Sequence, residues 1–230
     1  MRVVIMGGTS GIGRAAAELL AARGAEVIVT GRDPERLAEL KATVSAAEQV
    51  DGTDEDQVRE FFERTGEIDH LVLAFSPGAY ALGPVAEVGA DAVRRMFEGK
   101  LLAYLAVIRL ATGRVKGSIT VLSAASARAA NPGTAVLAAV NGGIERMVPP
   151  LAAELSPVRV NAVAPGLIDT PWWSFVAEDE RAATLGRFTD ALPVPRPGKA
   201  DEVAEAIAYL VTADYVTGTI LPVDGGATIS

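Results

Sequence analysis

The chain has 230 residues, half of them hydrophobic, enough to bury one large α/β core, and a formal charge of −8 that excludes a nucleic-acid surface built on clustered Lys and Arg. It has no cysteine and a single histidine, His70, which excludes disulfides, thiolate nucleophiles, thiolate–zinc sites and histidine clusters, so no metal is expected. No Ser/Gly-rich or low-complexity run separates two cores, and residues 1–230 read as one domain.

In chain order, short β-rich apolar runs alternate with segments of helical period. RVVIM (2–6) leads into IGRAAAELLAARG, and VIVT (27–30) into a helix with Asp33 as N-cap and Pro34 at its first position. AEQV (47–50) precedes a helix after Asp54, and HLVLAF (70–75) precedes a long helix near 89–112. SITVLS (118–123), a helix over about 134–155, VRVNAVA (158–164), a helix near 201–212 and TILPV (219–223) complete the series. Seven strands joined through helices predict an α/β, Rossmann-like, doubly wound parallel sheet with helices on both faces. Such a sheet binds ligands beyond the carboxyl ends of its strands. The apolar run in MRVVIMGG is too short for a signal peptide or a membrane span, so a cytoplasmic chain with no membrane partner is expected. Pro149-Pro150 removes two backbone donors from the helix at 134–155 and predicts a kink or break near Met147.

The first strand ends in GGTSGIG, with Gly7, Thr9, Ser10, Gly11, Ile12 and Gly13 at a strand-to-helix turn. Glycines there let backbone approach a pyrophosphate, and the helix N-terminus offers free N–H groups and a positive dipole end. With Asp51-Gly52 after the third strand, RVNAVAPGLIDT (159–170) and VDGG (223–226), this stretch resembles, across essentially the whole chain, the short-chain dehydrogenase/reductase family. The resemblance implies that Asp51 and Gly52 meet adenine, that Ala74, Phe75 and Ser76 pass under the adenosine ribose, and that Gly166, Ile168 and Thr170 meet the nicotinamide end. At the second strand's end Gly31 stands where NAD-preferring members place an acid, and Arg32 offers a guanidinium to a 2′-phosphate, so the expected cofactor is NADP(H).

The same resemblance implies an Asn-Ser-Tyr-Lys reducing site, and here the sequence departs from it. The Tyr-x-x-x-Lys of the family falls on Leu137 and Asn141; thirteen residues before Leu137 stands Ala124, with Ser123 ahead of it. The family's Asn-x-x-Gly falls on Lys100-Leu-Leu-Ala103, so Lys and Asn are exchanged between two helices. The candidate catalytic set is therefore Lys100 as proton donor, Asn141 as its partner, and Ser123 and Ser126 as oxygen-binding groups. Tyr104, one turn from Lys100, reads as packing, and Arg128 as an anion holder or a surface cap. Residues 172–198, with Trp172 and Trp173, occupy the place of a mobile substrate lid and suggest an apolar wall. A small-molecule carbonyl or alcohol substrate and a homo-oligomer, dimer or tetramer, complete the expectation. Two others stand beside it: an inactive NADP(H)-binding sensor or partner subunit, and a non-redox lyase or isomerase.

Overall fold

The computed structural model describes residues 1–229. Its strands are continuous apolar runs because both of their faces are buried. In β1 (Arg2–Met6), Val4 and Met6 join the core on one face while Val3 and Ile5 join the core on the other. Around β1 lie β2 (Glu26–Gly31), β3 (Ala46–Gln49), β4 (Ile68–Leu73), β5 (Val115–Leu122), β6 (Arg159–Pro165) and, numbered after two short strands at the base of the lid, β9 (Ile220–Val223). The order is β3-β2-β1-β4-β5-β6-β9, with every pairing parallel. Strand order reverses between β1 and β4, which is where ligands bind in sheets of this kind.

One face is covered by α1 (Gly11–Ala22), α2 (Pro34–Leu40) and α8 (Ala200–Thr212), whose Leu20, Leu37 and Ile207 are buried against Ile5 and Val29. The other is covered by α3 (Glu55–Thr65), α5 (Ala103–Ala111) and α6 (Ala135–Glu154), which bury Phe61, Phe62, Val107, Ile144 and Val148. Asp33 caps α2, accepting from the Glu35 and Arg36 amides at 3.0 and 3.3 Å, as its position before Pro34 predicts.

Four features differ from the sequence expectation. The long helix over 89–112 is composite: α4 (Ala90–Met96), a π-helical segment over Phe97–Leu102, then α5. β4 ends at Leu73, so Ala74 and Phe75 lie past it. The proline pair does not break α6, which runs unbroken through Pro149 and Pro150; Met147, Val148, Leu151 and Ala152 all pack on the core and hold both halves in line. The lid has regular structure of its own, a 3₁₀ turn at Pro171–Trp173 and α7 (Glu178–Thr189), and is closed at its base by a two-stranded pairing of β7 (Ile168–Asp169) with β8 (Gly198–Lys199).

Candidate active site and cofactor cleft

A cleft of about 2270 Å³ runs along the carboxyl ends of the strands, from Arg32 at one end to the lid at the other. Its floor is the β1–α1 turn. Gly7 has φ +85°, and a side chain there would come within 2.6 Å of the Phe75 amide nitrogen; at Gly13 a side chain would meet the Gly7 carbonyl oxygen at 2.2 Å. Only glycine lets these three backbone segments lie so close. The N-cap Ser10 makes no side-chain cap bond and α1 carries no acid in its first turn, so the helix presents open N–H groups and an uncompensated positive dipole end to an anion.

The residues expected to hold the cofactor fit a dinucleotide on these grounds. Gly7, Thr9, Ser10, Gly11 and Ile12 line the cleft at the α1 end, with Gly13 packed directly beneath, and Thr170 lies across Gly11, 3.4 Å from where a Cβ would stand. Asp51, Gly52, Ala74, Phe75, Ser76, Gly166 and Ile168 line it as well. The Asp51 carboxylate accepts from the Thr53 amide and hydroxyl at 2.9 and 2.8 Å through one oxygen. At the end of β2 any side chain on Gly31 would meet Thr9 Cγ2 at 2.4 Å, so an acid there would have to displace the Thr9 side chain. Arg32 is exposed at that end of the cleft, and its guanidinium makes no ion pair among the described residues.

The other end of the cleft is built where α6 and the π segment approach each other. Gly143 makes this possible, since a Cβ on it would meet the Leu101 side chain at 2.8 Å. Lys100 is buried, 7% exposed, and its Nζ donates to Asn141 Oδ1 at 2.7 Å and to the Ser123 carbonyl at 3.4 Å. Asn141 Nδ2 in turn donates to Ser126 Oγ at 3.1 Å. The exchange read from the sequence requires Lys100 to meet Asn141, and the two side chains do meet. Burial without a carboxylate partner pushes the Lys100 amine down to about 8. Two of its three N–H bonds are directed at protein acceptors, leaving one for the cleft.

Ser123 is engaged elsewhere: its hydroxyl donates to Glu145 Oε1 at 2.9 Å. The other Glu145 oxygen pairs with Arg128 Nε at 3.2 Å. Sequence reading missed Glu145. It stands four residues after Asn141, on the same side of α6, a spacing that pointed to the strand end, but a lone Glu in a helix reads as solvated. Tyr104 is fully buried; its hydroxyl lies 3.0 and 2.9 Å from the Leu73 and Phe75 carbonyls and its ring meets Phe75 edge-on. Burial raises its pKa, so it braces the chain after β4 and is no proton donor. Leu137 lines the cleft and offers nothing to titrate. In the lid, Trp172, Trp173 and Phe175 form one aromatic cluster with ring centroids 4.9 to 5.5 Å apart, and Trp173 Nε1 donates to the Ile168 carbonyl at 3.1 Å.

Residues 7–228 match the family model described as Enoyl-(Acyl carrier protein) reductase. The chain belongs to the short-chain dehydrogenase/reductase family. It is 35% identical over 245 residues to a 3-oxoacyl-[acyl-carrier-protein] reductase of Thermotoga maritima, covering 98% of this chain and 97% of the relative. It is 35% identical over 242 residues to a cis-4-hydroxycyclohexanecarboxylate dehydrogenase of Sinomonas cyclohexanicum, covering 98% and 95%. A solved small-chain dehydrogenase in complex with NADPH superposes with a TM-score of 0.87 at 31% identity, covering 100% of this chain and 99% of that one. These relatives are named as a reductase and a dehydrogenase, and the solved neighbour holds NADPH, the enzyme class and cofactor that the sequence leads one to expect. Among the described residues no group of three or more His, Cys, Asp or Glu is placed to hold a metal, and no helix is long and apolar enough to cross a membrane.

Proposed function

We propose that this chain interconverts a small ketone or aldehyde and its alcohol in the cytoplasm, using NADP(H) and a rearranged active site in which Lys100 replaces the tyrosine acid of its family. One observation carries the reading: the buried Lys100 amine, adjusted toward neutral pH, sits at the cleft with its direction fixed by Asn141. A cation buried without a carboxylate partner is penalised, and Asn141 and the Ser123 carbonyl offset part of that penalty while holding the amine at the cleft.

When bound, NADPH supplies the hydride. Gly7, Gly11 and Gly13 would cradle its pyrophosphate against the α1 N-terminus, and Arg32 would receive the 2′-phosphate. As the carbonyl oxygen gains negative charge, the third N–H of Lys100 gives it a proton and the amine becomes neutral; in the reverse direction the neutral amine takes the alcohol proton. Ser126 accepts from Asn141, so its own hydroxyl proton is free to bond the same oxygen, and the Lys100–Asn141–Ser126 series polarises toward it. Ser123 has its proton committed to Glu145 and serves to hold that carboxylate. The lid tryptophans would form the apolar wall and close over the substrate. The relatives' names, a reductase of an oxoacyl group and a dehydrogenase of a cyclic alcohol, support a carbonyl or alcohol as the substrate class.

Lys100→Ala tested against a ketone and aldehyde panel, following NADPH absorbance, decides the matter. Loss of turnover with NADPH binding retained is expected; equal turnover in the variant removes Lys100 from the mechanism. A second reading, an inactive NADP(H)-binding sensor, rests on Leu137 at the acid position, and tight NADPH binding with no oxidation by any panel member would establish it. The expected dimer or tetramer draws support from Leu102 and Leu105, which are exposed and share a groove with Leu151 of α6 and Leu155 just past its end.

A further inference from the structure

The proposed reaction leaves a buried carboxylate unused. Glu145 lies within the protein, away from the cleft wall, and has both oxygens committed, one to Ser123 and one to Arg128. Arg128 is different. It lines the cleft, its side chain is 38% exposed, and it forms an ion pair with Glu145 from Nε at 3.2 Å. Among the described residues its two terminal nitrogens have no hydrogen-bond partner, so four N–H bonds of a fixed planar fork are open. A guanidinium pinned at Nε with its outer edge free matches the two oxygens of a carboxylate.

Its place in the chain says which ligand it serves. Arg128 ends the short 3₁₀ turn Ala125–Ala127, two residues after Ser126, so the two Cα atoms lie within roughly 7 Å of each other. It is joined through Glu145 and Ser123 to the Lys100 amine. It therefore belongs to the reacting end of the cleft and not to the phosphate end at α1 and Arg32. With Glu145 counted against Arg128, the Lys100 charge remains, so this end carries net positive charge. The same cleft is lined by the aromatic cluster of Trp172, Trp173 and Phe175.

We propose that Arg128, oriented by the buried Glu145, is the specificity anchor of the substrate site, and that the substrate is a small oxo or hydroxy acid carrying its carboxylate on an apolar frame. This rests on the reading of the cleft as a carbonyl–alcohol site. Glu145 is a positioning residue: it fixes the guanidinium plane and partly offsets its charge.

The test is binding, not turnover. Isothermal titration calorimetry with NADP⁺ present compares 4-oxopentanoate with 4-oxopentanamide, which differ in charge and little in shape. The wild-type chain should bind the oxo acid at least tenfold tighter. Arg128→Met should bring the two constants within twofold of each other, Arg128→Lys should keep part of the preference, and Glu145→Gln, which retains an acceptor for Ser123 but no longer holds the guanidinium, should bind the oxo acid more weakly than the wild-type chain. If Arg128→Met fails to fold because Glu145 is stranded, the Arg128→Met/Glu145→Gln pair carries the same comparison. Equal affinities in the wild-type chain, an undiminished preference without Arg128, oxo-acid binding in Glu145→Gln as tight as in the wild-type chain or tighter, or no heat with either compound overturns the proposal. Lys100→Ala separates the two claims: a preference that persists there while no ketone is turned over by the wild-type chain leaves the anchor standing and removes the catalytic reading.

Discussion

Lys100→Met should make the protein more stable at neutral pH while removing its activity. An amine whose pKa falls from 10.5 to about 8 keeps its proton in the folded chain at a cost of roughly 3 kcal/mol, since one pH unit corresponds to about 1.4 kcal/mol. Methionine fills similar volume without a charge but leaves Asn141 Oδ1 without its donor, which costs about 1–2 kcal/mol. The net gain at pH 7 is about 1–2 kcal/mol. The folded pKa lies below the unfolded one. Below about pH 8 both states are charged and the wild-type chain carries the whole penalty; between about 8 and 10.5 the folded state releases its proton while the unfolded state keeps it, and wild-type stability rises relative to the variant. Urea unfolding at pH 7, 8, 9 and 10 measures this. The variant should lead at pH 7 and fall behind by pH 10; a difference independent of pH would show that the amine is not held charged in a dry site, and the reasoning would fail.

Carbonyl reduction should decline about tenfold per pH unit above roughly pH 8, as the amine loses the proton it must give, while alcohol oxidation rises to a plateau there; initial rates in both directions across pH 6 to 10 check it, and parallel profiles would refute it. Arg32→Ala should weaken NADPH about 10- to 100-fold, the worth of a charge-assisted bond, and leave NADH within twofold, as read by quenching of tryptophan fluorescence. Gly13→Val should abolish cofactor binding, because its side chain would occupy the Gly7 carbonyl position; a Kd within threefold of wild type contradicts that. Arg159→Met should destabilise the fold by about 3 kcal/mol, because the buried guanidinium holds the Leu210, Val211 and Val216 carbonyls where α8 ends, and thermal unfolding would report it.

The fold was legible where its signals are local. A buried parallel strand shows as an apolar run, Asp33-Pro34 and Asp54 mark helix starts, and the glycines of 7–13 mark a turn that no other residue can make. Helix α7 escaped notice because it buries only Leu185 and Thr189 and so has no apolar stripe to betray it. The proline pair misled because two lost hydrogen bonds weigh less than the packing of Val148 and Leu151 on either side. In the site, Lys100 and Asn141 could be paired from sequence because flanking landmarks fixed their positions. Glu145 could not, since its partners Ser123 and Arg128 come from a different strand end and nothing in the helix itself shows that it is buried.

The π-helical segment Phe97–Leu102 has a consequence for how such a site can arise or vanish. A π turn amounts to one residue inserted into an α-helix, so the faces of α4 and α5 are out of phase by about 100°. The position of the buried amine is thus encoded in chain length as well as in residue identity. Loss of one codon between Phe97 and Gly99 would keep every functional side chain, restore ordinary winding, and rotate α4 against the amine by slightly more than a right angle. Insertions and deletions, and not only substitutions, can therefore make or unmake this arrangement.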